Sequence, residues 1–314
     1  MKRILSLIIC LFLVAGLCAC GGDTNQPGTT ADTTATTEDI TPYDPVNNDK
    51  TLKVLAIGNS FSNDTTHFLE DIAKAEGFET VLIGNLYISG ATLDMHYMNA
   101  RDFLPAYRFY MNYDGEWKTM ENCTFDHGLL HKDWDIIVLQ QGSHDSGMPD
   151  SYENYLTKLI EYINEHKTNP KAKLAWNVTW AYQADSTHSA FIRYGKDQMT
   201  MYDSIVNAVK TKVVPHSEIS YIIPAGTAIQ NARTSYIGDN LTRDGYHMNE
   251  LGRVITSYTW LATFMGKPLE KISFTNVSEN LTLTDSDKAV IMEAVNAALA
   301  EPFAVTPSAI TEKN

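Results

Sequence analysis

Short segments that are almost entirely apolar recur along this chain and alternate with segments of helical spacing. Residues 52–57 (LKVLAI), followed by Gly58, form the first of them, and residues 135–140 (DIIVLQ) form another. Runs of this length and composition are typical of strands that are covered by helices on both faces. Comparable runs at residues 79–84, 174–179 and 219–223 bring the predicted strands to five. The alternation favours a parallel sheet wrapped on both faces by helices.

The segments between these strands have the spacing of amphipathic helices. Residues 66–76 carry apolar side chains at helical intervals, and Thr284 precedes a similar apolar set near the end of the chain, in the position of a helix cap. One insertion, at residues 107–125, breaks the alternation. An Asp-Gly pair at 114–115, between aromatic-rich arms, predicts a hairpin turn within it. Because no second boundary is visible, residues 51–314 are interpreted as one domain.

The first twenty residues have the layout of a secretory signal. Lys2 and Arg3 precede an apolar run over residues 4–15, which is too short to span a bilayer. The run ends in Leu-Cys-Ala-Cys, which resembles the bacterial lipobox. The resemblance implies cleavage just before Cys20 and attachment of lipid to that cysteine. Residues 1–19 are therefore predicted to be a lipoprotein signal peptide.

Residues 20–50 are predicted to be a flexible tether. The stretch from 21 to 50 contains eight Thr and only scattered apolar residues, so it cannot bury enough surface to offset its chain entropy. A lipid on Cys20 followed by such a stretch would hold the folded domain near a membrane. The sequence thus predicts an exported protein that is lipid-anchored to the bacterial cell envelope.

Charge and composition oppose several other classes of protein. The formal net charge is -14 and no Lys/Arg-rich cluster occurs, which opposes binding of nucleic acid. His127 and His131 have the spacing that puts two imidazoles on one helix face, but no third ligand accompanies them, so neither a metal nor a cofactor is predicted. Cys123 lacks a context that would lower its pKa, and it is interpreted as a buried apolar residue.

The first candidate for chemistry is Ser60, in the sequence Gly58-Asn59-Ser60 that follows the first strand. Ligands of open α/β sheets bind at the carboxyl ends of the strands, and a serine there can attack a carbonyl if a base takes its proton. A serine in this position is also a common helix cap or turn residue, so Ser60 alone does not decide between the two roles.

The second candidate is the pair Asp244 and His247, which precedes the apolar helix that runs to Met265. With His three residues after Asp in a tight turn, the carboxylate can bind the imidazole Nδ1 and leave Nε2 free to accept a proton. The alternative is a helix-capping Asp beside a surface His. Asp185 and His188 have the same spacing, so the pattern is not unique within the chain.

Several blocks occur in a fixed order and carry a family resemblance. They are Gly58-Asn59-Ser60-Phe61-Ser62, Ile88-Ser89-Gly90, Leu139-Gln140-Gln141-Gly142-Ser143-His144, Thr179-Trp180-Ala181-Tyr182 and Asp244-Gly245-Tyr246-His247. The combination resembles the SGNH, or GDSL-like, hydrolase superfamily, and in particular an uncharacterised branch found in bacterial secreted and lipid-anchored proteins. The resemblance implies an α/β fold, a flavodoxin-like three-layer α/β/α sandwich with a five-stranded parallel sheet.

The resemblance also implies a serine esterase mechanism. Ser60 would be the nucleophile, His247 the base and then the acid, and Asp244 the residue that orients His247. The oxyanion hole would consist of the Ser60 N–H, the Gly90 N–H and a side-chain amide. Where the superfamily usually has Asn, this chain has two glutamines, and Gln141 is the predicted donor, with Gln140 held in reserve. A similar Gln-Gly pair occurs in carbohydrate acetylesterases.

The substrate predicted from this resemblance is a carbohydrate ester from which acetyl or a similar acyl group is removed. The candidate substrate-binding residues are polar or aromatic and lie at the same sheet edge: Asn59, Gln140, His144, Trp180, Tyr182, Asp185 and His188. Core packing of Trp180 and Tyr182 is an equally good interpretation. Two other functions stay open, namely a non-catalytic glycan-binding lipoprotein on the same fold and a hydrolase of lipid esters or thioesters.

Overall fold

A seven-stranded sheet forms the centre of residues 50–313, the part of the chain that the computed structural model describes. Its strands are β1 (Thr51–Gly58), β2 (Thr80–Tyr87), β3 (Tyr107–Tyr113), β4 (Glu116–Cys123), β5 (Ile136–Leu139), β6 (Lys173–Asn177) and β7 (Ile219–Ile223). The order across the sheet is β4-β3-β2-β1-β5-β6-β7. Since β1 lies at the centre, the residues that follow it are flanked by the ends of β2 and β5.

The sheet is mixed and has seven strands, so the prediction of a five-stranded, entirely parallel sheet is wrong in the number of strands and in lacking an antiparallel edge. The five predicted strands pair in parallel, and β3 and β4 add an antiparallel hairpin to the edge of β2. Asp114 and Gly115 form the predicted turn between them, with φ of 51° and 93°. Two successive positive φ angles match the twist of a two-residue hairpin turn.

Nine α-helices cover the sheet in residues 50–313. They are α1 (Ser60–Thr66), α2 (Leu69–Ala75), α3 (Leu93–Arg101), α4 (Phe125–Leu129), α5 (Tyr155–His166), α6 (Gln198–Ala208), α7 (Ala225–Arg233), α8 (Glu250–Met265) and α9 (Asp285–Ala300). Helix α8 packs against α1, α2, α7 and α9, whereas α5 packs against α3 and α4. These two groups are the outer layers of the α/β fold. None of the helices in the described range is both long enough and apolar enough to cross a membrane.

Local sequence explains where several of these helices begin. Asn59 caps α1, Asn249 caps α8, and Thr284 forms a capping box with Asp287 at α9, as its sequence predicts. The predicted helix at 66–76 is instead divided, because α1 ends at Thr66 and α2 begins at Leu69.

The predicted signal peptide, the lipid attachment site at Cys20 and the tether up to residue 49 lie outside the described residues.

Candidate active site

Ser60 is the first residue of α1, directly after the central strand of the sheet. Asn59 turns the chain there by accepting a hydrogen bond from the Phe61 N–H at 3.0 Å. Ser60 is partly exposed, and neither its hydroxyl nor its N–H is among the groups that hydrogen-bond to protein in residues 50–313. Both groups are therefore available to a ligand, as the first N–H groups of a helix generally are.

Asn59 connects three loops beneath Ser60. Its amide donates to the Ala91 carbonyl at 3.0 Å, and its Oδ1 accepts from the Gln140 amide at 2.9 Å. The loops after β1, β2 and β5 are thereby held together at the carboxyl edge of the sheet. Asn59 is only 2% exposed and three hydrogen bonds hold its side chain, so it supports the site, and its burial opposes the predicted contact with substrate.

Gln140 is part of a buried polar chain that extends into the core. Its Oε1 accepts from the Asn177 amide at 3.1 Å, and Asn177 in turn accepts from the Trp260 indole N–H at 2.9 Å. One hydrogen of the Gln140 amide is used by Asn59, while no bond within residues 50–313 uses the second. The amide nitrogen of Gln140 thus lies against the residue that precedes Ser60 and retains one donor.

Gln141 is oriented differently, which opposes its predicted role as the oxyanion donor. Its amide nitrogen donates to the Ser151 carbonyl at 3.1 Å and to the Ser151 hydroxyl at 3.0 Å. Its Oε1 accepts from the Leu93 N–H and the Gly142 N–H. Every polar atom of this 1% exposed side chain is occupied. The structure therefore gives Gln141 a part in joining the strand-end loops.

Asp244 and His247 form the predicted pair. The imidazole Nδ1 lies 2.7 Å from Asp244 Oδ2 and, since a carboxylate can only accept, Nδ1 donates. The His247 N–H donates to Asp244 Oδ1 at 2.8 Å, and Gly245 provides the tight turn with a φ of 92°. Burial alone would raise the pKa of Asp244, but the hydrogen bonds from the ring and backbone of His247 outweigh it and lower that pKa. His247 Nε2 is left as a proton acceptor.

The segment 243–248, which we name the dyad loop, lies beside the helix that carries Ser60. The His247 ring is edge-on to the Phe61 ring at a centroid separation of 6.2 Å. The Met248 N–H, at the end of the loop, donates to Asp64 Oδ2 at 2.9 Å. Residues almost two hundred positions apart in the sequence are thus brought to one edge of the sheet, with Phe61 next to Ser60 in the chain.

Trp180 and Tyr182 lie beneath this edge and are both 0% exposed. Trp180 stacks on Phe61 with centroids 4.1 Å apart and donates its indole N–H to the Tyr246 carbonyl at 2.7 Å. The Tyr182 hydroxyl is 2.9 Å from the Ser143 hydroxyl. Neither ring offers a face to a sugar, so the core-packing interpretation describes them and the platform interpretation does not.

The remaining candidates, His144, Asp185 and His188, are more exposed than the others, and we name these three residues the rim. His144 and His188 are half-buried and Asp185 is exposed. His188 Nδ1 accepts the Ala190 N–H at 3.2 Å, which leaves Nε2 as a donor when the ring is neutral. Burial, and after it the nearby rings of His144 and His247, lower the pKa of His188. The pair Asp185 and His188 is not hydrogen-bonded as the dyad is, although its spacing is the same.

Two contacts of the site were not indicated by the sequence. Tyr246 lies between two imidazoles, with centroid separations of 4.7 Å to His188 and 4.1 Å to His247. Asp64 binds the dyad loop, and its position four residues after Ser60 was the available signal, because residues at this spacing share one face of a helix.

His127, His131 and Cys123 have surroundings that fit a structural role. Within residues 50–313, no group of three or more His, Cys, Asp or Glu side chains could hold a metal ion. His127 and His131 instead pack edge-on against Phe109, at 6.0 and 5.3 Å between centroids. Cys123 is a buried free thiol at the end of β4, and burial raises its pKa.

The chain belongs to the DUF4886 family, a domain of unknown function, whose family model matches residues 53–294. It is similar to the crystal structure of a DUF4886 family protein from Bacteroides uniformis, with 39% identity and a TM-score of 0.72 over 82% of this chain and 98% of that one. No curated protein matches the chain.

More distant solved structures include named hydrolases. A catalytic mutant of Axe2, an acetylxylan esterase from Geobacillus stearothermophilus, is 13% identical with a TM-score of 0.45, over 68% of this chain and 94% of that one. The lipase Lip_vut3 from a goat rumen metagenome is 12% identical with a TM-score of 0.45, over 68% and 98%.

Proposed function

We propose that the protein is a serine hydrolase that cleaves carboxylic esters, with Ser60, His247 and Asp244 as its catalytic residues. The observation that carries the proposal is the 2.7 Å contact of His247 with Asp244, on a loop that is bound to the helix headed by Ser60. A binding protein would not require an imidazole oriented by a carboxylate, with its Nε2 free, on a loop that is bound to the helix headed by an unbonded serine.

The proposed reaction is acyl transfer through the Ser60 hydroxyl. His247 Nε2 takes the hydroxyl proton as Ser60 Oγ bonds to the ester carbonyl carbon, and Asp244 stabilises the imidazolium. The tetrahedral intermediate collapses as the alcohol leaves with the proton from His247. A water then attacks the acyl-enzyme, His247 takes and returns a proton, and the carboxylic acid is released.

The proposed oxyanion hole uses the N–H groups of Ser60 and Gly90 and a side-chain amide. The free donor of Gln140 and its contact with Asn59 support Gln140 as that amide, in place of Gln141, whose donors are both taken by Ser151. Donors aimed at the developing negative charge are worth most in a site where they need not reorganise.

The proposed substrate is the acetyl ester, or another short acyl ester, of a carbohydrate. The polar rim formed by His144, Asp185 and His188 favours a hydroxylated leaving group over a lipid. Trp180 and Tyr182 are buried, so they give no support to a carbohydrate substrate. A hydrolase of lipid esters would need an apolar acyl groove, and a glycan-binding lipoprotein without turnover remains the alternative from another class.

An ester panel tests the proposal directly. The purified full chain is assayed on p-nitrophenyl acetate, butyrate and octanoate and on acetylated xylo-oligosaccharides, with Ser60→Ala and His247→Ala as controls. We expect turnover of the short and carbohydrate esters, and its loss in both variants. Turnover that persists in both variants, or a clear preference for octanoate, would contradict the proposal. Sugar binding with no hydrolysis would support the binding protein.

The proposal includes export and lipid attachment at Cys20, which rest on the lipobox-like sequence. In a bacterial host that processes lipoproteins, the wild-type chain should incorporate a labelled fatty acid and Cys20→Ser should not. Equal labelling of the two chains would contradict the assignment.

A further inference from the structure

We propose that Asp64 is a positioning residue that sets the dyad loop against the nucleophile helix. This inference rests on the proposed function for its effect on catalysis, but its structural part can be tested by itself. Asp64 lies in the middle of α1 and is 0% exposed. A carboxylate that is removed from water is costly unless it is paired and hydrogen-bonded, so its partners identify what it holds.

The partners of Asp64 come from both ends of the dyad loop and from the helix that follows. At the start of the loop, Arg243 Nη1 donates to Oδ1 at 2.9 Å. At its end, the Met248 N–H donates to Oδ2 at 2.9 Å. Arg253, in the first turns of α8, contributes its Nε at 2.9 Å and its Nη2 at 2.8 Å to Oδ1. One buried carboxylate therefore fixes the entry and the exit of the loop.

Bonds within the loop transmit this constraint to His247. The Arg243 N–H donates to the His247 carbonyl at 2.9 Å, and the Arg243 guanidinium also donates to the Met248 carbonyl. His247 is thus held through both of its neighbours in the network, Arg243 and Met248. Its ring has no hydrogen-bond partner in residues 50–313 other than Asp244.

Asp64 lies on the same face of α1 as Ser60. Ser60 and Asp64 are four residues apart, so their side chains share one face of the helix, about one turn apart. The dyad loop is therefore attached along the face that carries Ser60. Asp64 touches neither the substrate nor the reacting atoms in this arrangement, and it acts through the loop.

Asp64→Asn tests the inference, because it keeps the shape of the side chain and removes its charge. We expect kcat on p-nitrophenyl acetate to fall by about 10²-fold while KM changes by less than about threefold, since a displacement near 1 Å can cost this much in the chemical step. Hydrogen exchange at the Met248 amide should become faster in the same variant, with the amides of β1 and β5 still protected.

Asp287→Asn is the matched control. Asp287 is also buried and hydrogen-bonded, but it accepts from the Thr284 N–H in the capping box of α9 and from the Tyr236 hydroxyl, and none of its hydrogen bonds involves the dyad loop. This variant should keep the wild-type kcat whatever stability it loses. A double variant, Asp64→Asn with Arg243→Gln, should lower kcat by much less than the product of the two single effects, since both residues act through one contact.

The outcomes separate this inference from the proposed function. A folded Asp64→Asn variant with wild-type kcat and unchanged exchange at Met248 would overturn the inference. If the wild-type chain hydrolyses no ester, the proposed function fails, and hydrogen exchange alone then tests whether Asp64 holds the dyad loop. Faster exchange confined to the dyad loop would then support it, and unchanged exchange would overturn it.

Discussion

The floor and the rim of the candidate site differ in how firmly their side chains are held. The floor comprises Asn59, Gln140 and Trp180, which are buried and bonded to several elements at once. The rim comprises His144, Asp185 and His188, which are partly or fully exposed. The same sheet edge thus contains one layer that fixes geometry and another that is free to meet a substrate, and substitutions in the two layers should have different consequences.

The largest expected effect belongs to Ser60, the proposed nucleophile. Ser60→Ala should lower kcat on p-nitrophenyl acetate by about 10⁴-fold or more, because the nucleophile of a triad acts as one unit with its base. The measurement is steady-state kinetics of purified wild type and variant. Ser89→Ala, at an exposed serine of the neighbouring loop, is the control and should stay within about threefold. Comparable losses in both variants would contradict the assignment of Ser60.

A floor residue without a chemical role should affect stability instead. Trp180→Ala removes a fully buried ring that stacks on Phe61, and such truncations typically lower the free energy of unfolding by about 3–5 kcal/mol. Urea unfolding followed by circular dichroism measures the change. Asp185→Ala, at an exposed position of the rim, should cost below about 0.5 kcal/mol. A small loss at Trp180 would mean that the floor is less tightly packed than described.

Gln140 and Gln141 are both buried, but only Gln140 has a proposed chemical role. Gln140→Ala should lower kcat by about 10²–10³-fold, the usual effect of losing one oxyanion donor. Gln141→Ala should lower it by less than about tenfold and mainly reduce stability, since its amide is bound to Ser151. Kinetics on a fast ester, with thermal unfolding of both variants, separates the two effects. A larger loss of kcat in Gln141→Ala than in Gln140→Ala would support Gln141 as the oxyanion donor.

A buried histidine elsewhere in the domain gives a comparison with the rim histidines in pH dependence. Burial lowers the pKa of His96 to about 4, against 6.5 for the free residue. Between these values the unfolded chain binds a proton that the folded chain does not, so stability is complete above pH 6.5 and falls as the pH is lowered towards 4. Between pH 7.5 and 4.5 the loss from His96 should be on the order of 2 kcal/mol.

Urea unfolding of wild type and His96→Gln at the two pH values measures this contribution. The variant keeps a polar side chain beside the Tyr107 hydroxyl, which is 3.0 Å from His96 Nδ1, and it lacks the titration. Its stability should therefore fall less than that of the wild type. Equal losses would mean that His96 can be protonated within the folded protein.

The smallest effects are expected at the outermost residues of the rim. Asp185→Asn should leave hydrolysis of p-nitrophenyl acetate within about twofold, because Asp185 is exposed. On acetylated oligosaccharides, His188→Gln should raise KM a few-fold with kcat unchanged, which is the signature of lost uniform binding. A fall in kcat with an unchanged KM would instead indicate that His188 acts in the chemical step.

The strands could be predicted from the sequence because burial on both faces leaves a strong local signal, the uninterrupted apolar run. The turn of the hairpin could also be predicted from a local signal, since an Asp-Gly pair tolerates positive φ at 114 and 115. The strand that the hairpin joins could not be predicted, because the pairing of β3 with β2 depends on contacts between residues distant in the sequence. The predicted sheet therefore lacked its antiparallel edge.

The candidate site was predictable only in part, for a similar reason. Asp244 and His247 are close in the sequence and form their pair locally. The orientations of Gln140 and Gln141 depend on Asn59 and Ser151, and successive residues at a strand end point to opposite sides. Aromatic residues after a strand are compatible both with an exposed binding platform and with burial in the core. The sequence did not show that Trp180 packs against Phe61, so its burial could not be predicted.

The central claim, that His247 activates Ser60, is tested most directly by covalent labelling. The full chain is treated with an alkyl fluorophosphonate, and the site and rate of modification are read by peptide mass spectrometry. We expect a single adduct on Ser60, formed much more slowly in His247→Ala and absent in Ser60→Ala. An adduct on another residue, or labelling of Ser60 at the same rate without the imidazole, would contradict it.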